Sequence, residues 1–349
     1  MTEKKKITLK DIARELGISI STASRALKEH PDIADDTIKT VKAFAEKHHY
    51  VPNILAVNFR KSRTYNLGLI VPELVHHFFS TVISGAIDTA KKHGYNILVS
   101  QSNDILSDET VACRTMLASS VDGLLISISN ETLEAAHLTN FIEEGKPVVQ
   151  FDKITDHIQS PKVIVDDFEG AYQAVKHLIE QGYKKIAHLR GRREVKNSNE
   201  RARGYQQALI DHNMETSENW IKDCMAINEE EGYNFCKELL SGDNPPDAIF
   251  CITDLVAFGV LKYLKEEKIA VPHQIGVIGF SNWKLAEIVS PGLSSVDQHG
   301  YEMGEIATLK LIELIKNNEL DNQEVIELKT NLIIRESTAN KIEKPLTIG

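Results

Sequence analysis

Between Thr8 and Leu27 the sequence TLKDIARELGISISTASRAL places its apolar residues at the spacing of two short helices. Ile12, Ala13 and Leu16 share one face of the first helix, and Ala23, Ala26 and Leu27 one face of the second. Thr8 is a fitting cap for the first helix, with Asp11 in the reciprocal position of a capping box. Gly17 tolerates the positive φ of a tight turn, and Ser19, three residues before Thr22, can cap the second helix. Ile20, Ser21, Ser24 and Arg25 are left on the opposite, outward face. From about Thr37, Ile38, Val41, Phe44 and Ala45 give a third helix its inward side. Three helices of this spacing read as a helix-turn-helix unit, whose second helix offers its polar edge to a DNA major groove.

Tyr50-Val51-Pro52-Asn53 ends the third helix and starts another, because proline disfavours helix in the residue before it and Asn is a good cap. This new helix, from Ile54 to about Lys61, is too short to be stable alone and calls for a partner. From Tyr65 the texture changes to short apolar runs alternating with amphipathic stretches. LGLIV, NILVS, GLLISI and PVVQF alternate with helices predicted near residues 80–92, 108–119 and 133–144. A second series begins at VIVD and continues through KIAHL, AIFCIT and IGVIGF, with helices near 168–181, 201–211, 229–240 and 255–267. This is the rhythm of parallel sheets. His93-Gly94-Tyr95 before NILVS and Gln181-Gly182-Tyr183 before KIAHL repeat one pattern, predicting two lobes of similar build. SSVDQ, a helix near 300–316, VIELK and LIIRES then return to complete both.

The formal net charge of −10 hides a division. Residues 1–63 hold 13 Lys and Arg against 8 Asp and Glu, a net of +5, which leaves −15 on the rest. A positive head on a negative body suits a protein that brings one end to a polyanion. No apolar run approaches the length of a membrane span, and MTEKKKITLK lacks the apolar core of a signal peptide, so a cytoplasmic protein is expected. Cys113, Cys224, Cys236 and Cys251 are scattered without a close pair, and His48-His49 and His76-His77 lack further ligands at metal-site spacing. Neither a metal nor a disulfide framework is expected, and the two histidine pairs read as surface or packing residues.

At GISISTASRAL, HHYVPN, RARGYQQAL and PGLSSVDQ the chain resembles the LacI/GalR (lactose-repressor) family of bacterial transcription regulators, and the resemblance runs from about Ile7 to Ser337. It implies an α/β protein: a helix-turn-helix DNA-binding domain at 1–52, a hinge helix at 53–63, and a two-lobed periplasmic-binding-protein-like body with parallel sheets. The expected lobes are 64–163 with 293–324, and 164–292 with 325–343. Implied partners are double-stranded operator DNA bound near-palindromically, a homodimer or higher assembly, and a small-molecule effector, a sugar or sugar derivative. Ile20, Ser21 and Arg25 are expected to read base edges, with Thr22 and Ser24 nearer phosphates. Thr8, Thr37, Tyr50, Asn53 and Ala56 are further DNA-binding candidates, and Phe59 matches the apolar wedge of the hinge helix, usually Leu. Ala34 replaces a hydroxyl residue at the start of the third helix.

Parallel sheets bind ligands beyond the C-terminal ends of their strands, so the cleft between lobes is the expected sensor pocket. By resemblance, Phe78, Arg201, Thr253, Ser281 and Gln298 fall at effector positions. The alternative for Phe78 is simple core packing, and for Arg201 a structural ion pair. Thr253 and Ser281 stand where relatives carry Asn and Asp. LRGRREVKNSNERAR adds Arg190, Arg192, Arg193, Lys196 and Arg203 near Arg201 against two glutamates, which predicts an anionic sugar derivative, or else a solvated loop whose arginines point away from the cleft or pair with an acidic partner subunit. No GK[ST] phosphate loop, strand followed by GxGxxG, or GxSxG elbow is present. No cofactor and no enzyme are expected. The alternatives are a sugar-binding protein without DNA activity and a nucleotide-dependent α/β enzyme.

Overall fold

Thr8 closes a capping box with Asp11: the Thr8 hydroxyl accepts from the Asp11 amide at 3.2 Å and the Asp11 carboxylate accepts from the Thr8 amide at 3.0 Å. The computed structural model describes residues 7–50 and 63–339. The hinge positions Asn53, Ala56 and Phe59 lie outside them. The chain divides into a head, Met1–Thr64, and a body, Tyr65–Gly349.

In the head, α1 (Leu9–Glu15) ends before Gly17 at φ +64°, α2 (Ile20–Leu27) begins at Ser19, whose hydroxyl accepts from the Thr22 amide at 3.0 Å, and α3 spans Asp35–Lys47. Ile12, Ala13, Ala23, Ala26, Val41 and Ala45 are its buried core, with Leu16, Leu27, Ile38, Phe44 and Tyr50 packed around them. Ala34 caps α3 without a side-chain bond. Asp35 and Asp36 in the first turn face the positive end of the helix dipole instead.

The body holds two six-stranded sheets among the described residues. The first has the order β11-β5-β4-β3-β1-β2, built from β1 (Asn66–Val71), β2 (Asn96–Gln101), β3 (Leu124–Ile126), β4 (Val148–Phe151), β5 (Lys162–Val165) and β11 (Val325–Leu328), all parallel. The second runs β12-β10-β9-β8-β6-β7, from β6 (Ile186–Arg190), β7 (Ile221–Asp223), β8 (Ala248–Cys251), β9 (Gly276–Phe280), β10 (Ser294–Asp297) and β12 (Asn331–Ile333). Only β12 pairs antiparallel in that sheet. The fully buried runs LGLIV of β1 and AIFC of β8 are apolar throughout, because both faces of each sheet are covered by helices.

Those helices are α4 (His77–Lys92), α5 (Leu106–Ala118), α6 (Ala136–Glu143), α7 (Asp167–Glu180), α8 (Lys196–Asp211), α9 (Glu229–Leu240), α10 (Asp254–Glu266) and α11 (Gly300–Asn317). Helices α4 and α11 cross so closely that a Cβ on Gly85 would stand 2.0 Å from the Tyr301 carbonyl oxygen, and one on Gly304 2.1 Å from that of Val82. Only glycine fits either position.

The expected lobe limits need correction at three strands. VIVD belongs to the first sheet, where β5 pairs β4 and β11. SSVDQ, expected in the first lobe, forms β10 beside β9, with Ser294, Ser295 and Val296 fully buried there. VIELK, expected in the second lobe, is β11 at the edge of the first sheet. Each crossover therefore falls a few residues later than the resemblance implied, near residues 166, 298 and 329. A strand's period fixes which face is buried but not which sheet it joins.

Candidate DNA-binding face and effector cleft

On the head, the outward face of α2 carries Ile20, which is 47% exposed, together with exposed Ser21 and Arg25 and partly buried Thr22 and Ser24. Around the cap, the Ser19 hydroxyl lies 2.9 Å from that of Ser21 and 2.8 Å from that of Thr22. Arg25 therefore projects from the last turn of a helix whose start is pinned. Thr37 and Tyr50 are half-buried at the start of α3 and beyond its end, and Thr8 is exposed with its hydroxyl held by Asp11 at 2.6 Å.

In the body, a cleft of about 740 Å³, counting its open mouth, is walled by segments that follow strand ends on both sheets. The first sheet contributes Glu73 and His76 after β1, Asp104 after β2, Asn130 after β3, and Asp152 and Lys153 after β4. The second contributes Arg192 and Asn197 after β6, Thr253 after β8, Ser281 after β9 and Gln298 after β10. Phe78, Arg201, Thr253, Ser281 and Gln298, the five positions singled out in the sequence, all line this one cleft.

Arg201 is 3% exposed and held on three sides. Its Nε donates to Asp167 Oδ1 at 2.8 Å, its Nη1 donates to the Ile252 carbonyl at 2.7 Å, and its guanidinium lies 3.7 Å over the Phe280 ring. Burial pushes the Asp167 carboxyl up to about 7, with the Arg201 charge opposing that rise. Arg201 is thus both a wall of the cleft and half of a buried ion pair.

Ser281 stands at φ +106°, and its hydroxyl donates to Gln298 Oε1 at 2.7 Å, which leaves the Gln298 amide nitrogen as a donor. The Thr253 hydroxyl accepts from the Val256 amide as the cap of α10. Phe78 is buried and packs edge-on against Phe79, their rings 5.2 Å apart. Across the cleft Lys153 donates to Asp104 at 2.8 Å and to Asn130 at 2.9 Å. Asp152, also buried, interacts with Ser127 and Asn197, and burial raises its carboxyl above the usual range. Lys196 of α8 bridges to Asp156 of the first lobe at 2.9 Å, and with Lys162 it holds the Asp156 carboxyl down to about 2.

Five of the six cations expected as an excess around Arg201 have a carboxylate partner among the described residues. Arg190 and Arg193 both face Asp223, at 3.5 and 3.0 Å, Lys196 faces Asp156, and Arg203 grips Glu200 with two bonds of 2.8 and 2.6 Å. Arg192, which reaches the Met225 carbonyl at 3.2 Å, is the one of the six cations without a carboxylate among the described residues. The sequence window showed the charges and, in Glu200, one partner, but not Asp156, Asp167 and Asp223, which come from outside it. His76, Asp104, Asn130, Asp152, Lys153 and Asn197 were not anticipated as cleft residues. Their signal was present as polar residues just past apolar strands, the place where a parallel sheet presents its ligand-facing groups.

Residues 8–53 match the bacterial regulatory proteins of the lacI family, and residues 175–338 match the periplasmic binding protein-like domain. The NTD biosynthesis operon regulator NtdR of Bacillus subtilis (strain 168) is 32% identical over 332 residues, 95% of this chain and 99% of the relative. This chain belongs to the lacI family of bacterial regulatory proteins. It is a DNA-binding transcriptional regulator. Catabolite control protein A of Priestia megaterium is 31% identical over 333 residues, again 95% of this chain and 99% of the relative. The fold of this lacI-family regulator is also that of the lac repressor dimer bound to operator and the anti-inducer ONPF, with a TM-score of 0.84, 21% identity, and 96% and 99% of the two chains covered. Among the described residues no helix is long and apolar enough to cross a membrane.

Proposed function

We propose that this lacI-family regulator is a cytoplasmic repressor, without enzymatic activity, that holds a near-palindromic operator as a dimer. A small polyhydroxylated effector, bound between the lobes of the body, sets its affinity for that operator. The observation that carries this reading is the joining, in one chain, of an exposed polar helix face on a capped helix-turn-helix and a polar cleft walled by both sheets. Ile20, Ser21 and Arg25 read bases, and Thr22, Ser24, Thr37, Thr8 and Tyr50 lie toward phosphates. Phe78 and Phe79 give the effector an apolar wall, while Arg201, Thr253, Ser281 and Gln298 bind its polar edge.

Dimerisation is supported by the open edge of the first sheet. Strand β2 ends the sheet order with Leu98 and Val99 exposed, and Ile87 and Val111 are exposed on the flanking helices α4 and α5. Apolar side chains on an unpaired edge strand mark an interface.

The effector itself is better matched by a neutral sugar than by an anionic derivative. Lys153, Arg192 and Arg201 in the cleft wall are balanced by Glu73, Asp104 and Asp152, and Asp167 adds a further carboxylate beneath Arg201. Selected-oligonucleotide binding with the full chain, repeated with matched neutral and acidic sugars, tests the proposal. A symmetric site whose occupancy shifts with a neutral sugar is expected; sequence-independent binding that no sugar alters would reject it.

A further inference from the structure

His76 precedes α4 with extended backbone, φ −66° and ψ 122°, and its side chain does not cap the helix. It turns toward the second lobe instead. There its ring meets Trp283 edge-on, with centroids 4.6 Å apart and an interplanar angle of 88°, while Phe79 flanks it at 5.5 Å. Trp283 is fixed in turn, because its amide donates to Asp254 at 2.6 Å and Phe258 packs beside its ring at 6.1 Å. The imidazole is therefore oriented by both lobes.

Three buried polar atoms in the wall of this cleft have no hydrogen-bond partner among the described residues: His76 Nδ1 from the first lobe, and Ser198 Oγ and Gln298 Nε2 from the second. A buried polar group left without a partner is costly, so such groups are rare and tend to mark a place where a ligand completes them. The Gln298 amide needs an acceptor, since its oxygen is already taken by Ser281. The charged and titratable groups facing His76 are Lys153, Arg201, His77 and Asp104. Burial first, then Lys153, His77 and Arg201, hold the imidazole down to about 3 against the opposing pull of Asp104. A neutral imidazole carries one N–H and one bare nitrogen, so it can donate and accept at once. A hydroxyl has the same pairing capacity.

We propose that His76 is a specificity-determining residue of the effector cleft, reading one hydroxyl of a polyhydroxylated ligand whose other oxygens are met by Gln298 and Ser198 from the opposite lobe. The proposal rests on the cleft being a sugar-type effector site. Leucine or phenylalanine at residue 76 would fill the same volume against Trp283 and Phe79 but could not tell a hydroxyl from hydrogen.

Calorimetric titration of the full chain with D-glucose, D-galactose, D-ribose and maltose, followed by the monodeoxy analogues of whichever binds, tests it. Wild type is expected to bind one monodeoxy analogue at least about tenfold more weakly than its parent, because a site built to pair a hydroxyl rejects the analogue lacking it. His76→Leu and His76→Phe should lose that discrimination, and His76→Gln, which keeps a donor and an acceptor, should recover part of it. The discrimination should stay level between pH 5.5 and 8, as a histidine neutral throughout requires. Full discrimination at every hydroxyl in whichever apolar variant folds, or discrimination that titrates near pH 6.5, overturns the assignment of His76. Failure of all four sugars to bind wild type would instead overturn the sugar reading beneath it, and the proposal with it.

Discussion

Arg201 Nε and Asp167 Oδ1 are 2.8 Å apart with both side chains buried, so the residue most readily taken for an effector contact is also a structural one. Removing one partner of a buried pair leaves the other charge uncompensated, which costs about 3–5 kcal/mol. Arg201→Ala should therefore lower the urea midpoint of the body markedly. Arg201→Lys should lower it less, since an ammonium keeps the charge but cannot reach Asp167 and the Ile252 carbonyl together across the Phe280 ring. Unfolding curves for both variants identical to wild type would show that the pair does not support the fold.

Asp254 supplies a pH signature. It is fully buried, accepting from Ser295 at 2.5 Å and from the Trp283 amide at 2.6 Å, and burial pushes its carboxyl from 3.8 up to about 7. A folded-state pKa above the unfolded value means that the native protein holds the proton more tightly. The stabilisation is complete below about pH 3.8 and is lost as pH rises toward 7. Melting temperature should include a component that falls between about pH 4 and 7, and Asp254→Asn, which does not titrate, should remove it. An unchanged pH slope in that variant would place the titration elsewhere.

Ser19 and Arg25 separate folding from reading on the same helix. Ser19→Ala removes the cap bond to the Thr22 amide and should cost the head about 1 kcal/mol of stability. Exposed Arg25→Ala should leave stability unchanged but cost about 1–3 kcal/mol on the preferred operator and relax the preference at one base pair. Competition against random duplex is the check, and equal losses on specific and random DNA would remove Arg25 from base reading.

The order of elements was legible because each depends on local pattern. Thr8 with Asp11, Gly17, and Ser19 before Thr22 announce two helix starts and a turn within a dozen residues, and all three take the expected conformations. The alternation of runs such as NILVS and KIAHL with amphipathic stretches likewise announced parallel sheets. Properties set by distant partners were less accessible. SSVDQ and VIELK have strand character, but their pairing with β9 and β5 depends on how the chain crosses between lobes. The arginines after β6 looked like an unbalanced charge because Asp156, Asp167 and Asp223 reach them only in the folded chain. His76 next to His77 looked like packing, and only closure against Trp283, some two hundred residues on, gives its ring a place in the cleft wall.

The reading of this lacI-family regulator as an effector-controlled repressor is tested most directly by thermodynamic reciprocity, measured on the full chain with its selected operator and the sugar that binds the cleft. Calorimetry gives the sugar affinity with and without saturating operator, and fluorescence anisotropy gives the operator affinity with and without saturating sugar. If cleft and DNA face are coupled, both ratios must be equal, on the order of 5–150-fold for a typical coupling of 1–3 kcal/mol. Operator and sugar affinities that are each indifferent to the other ligand would contradict effector control.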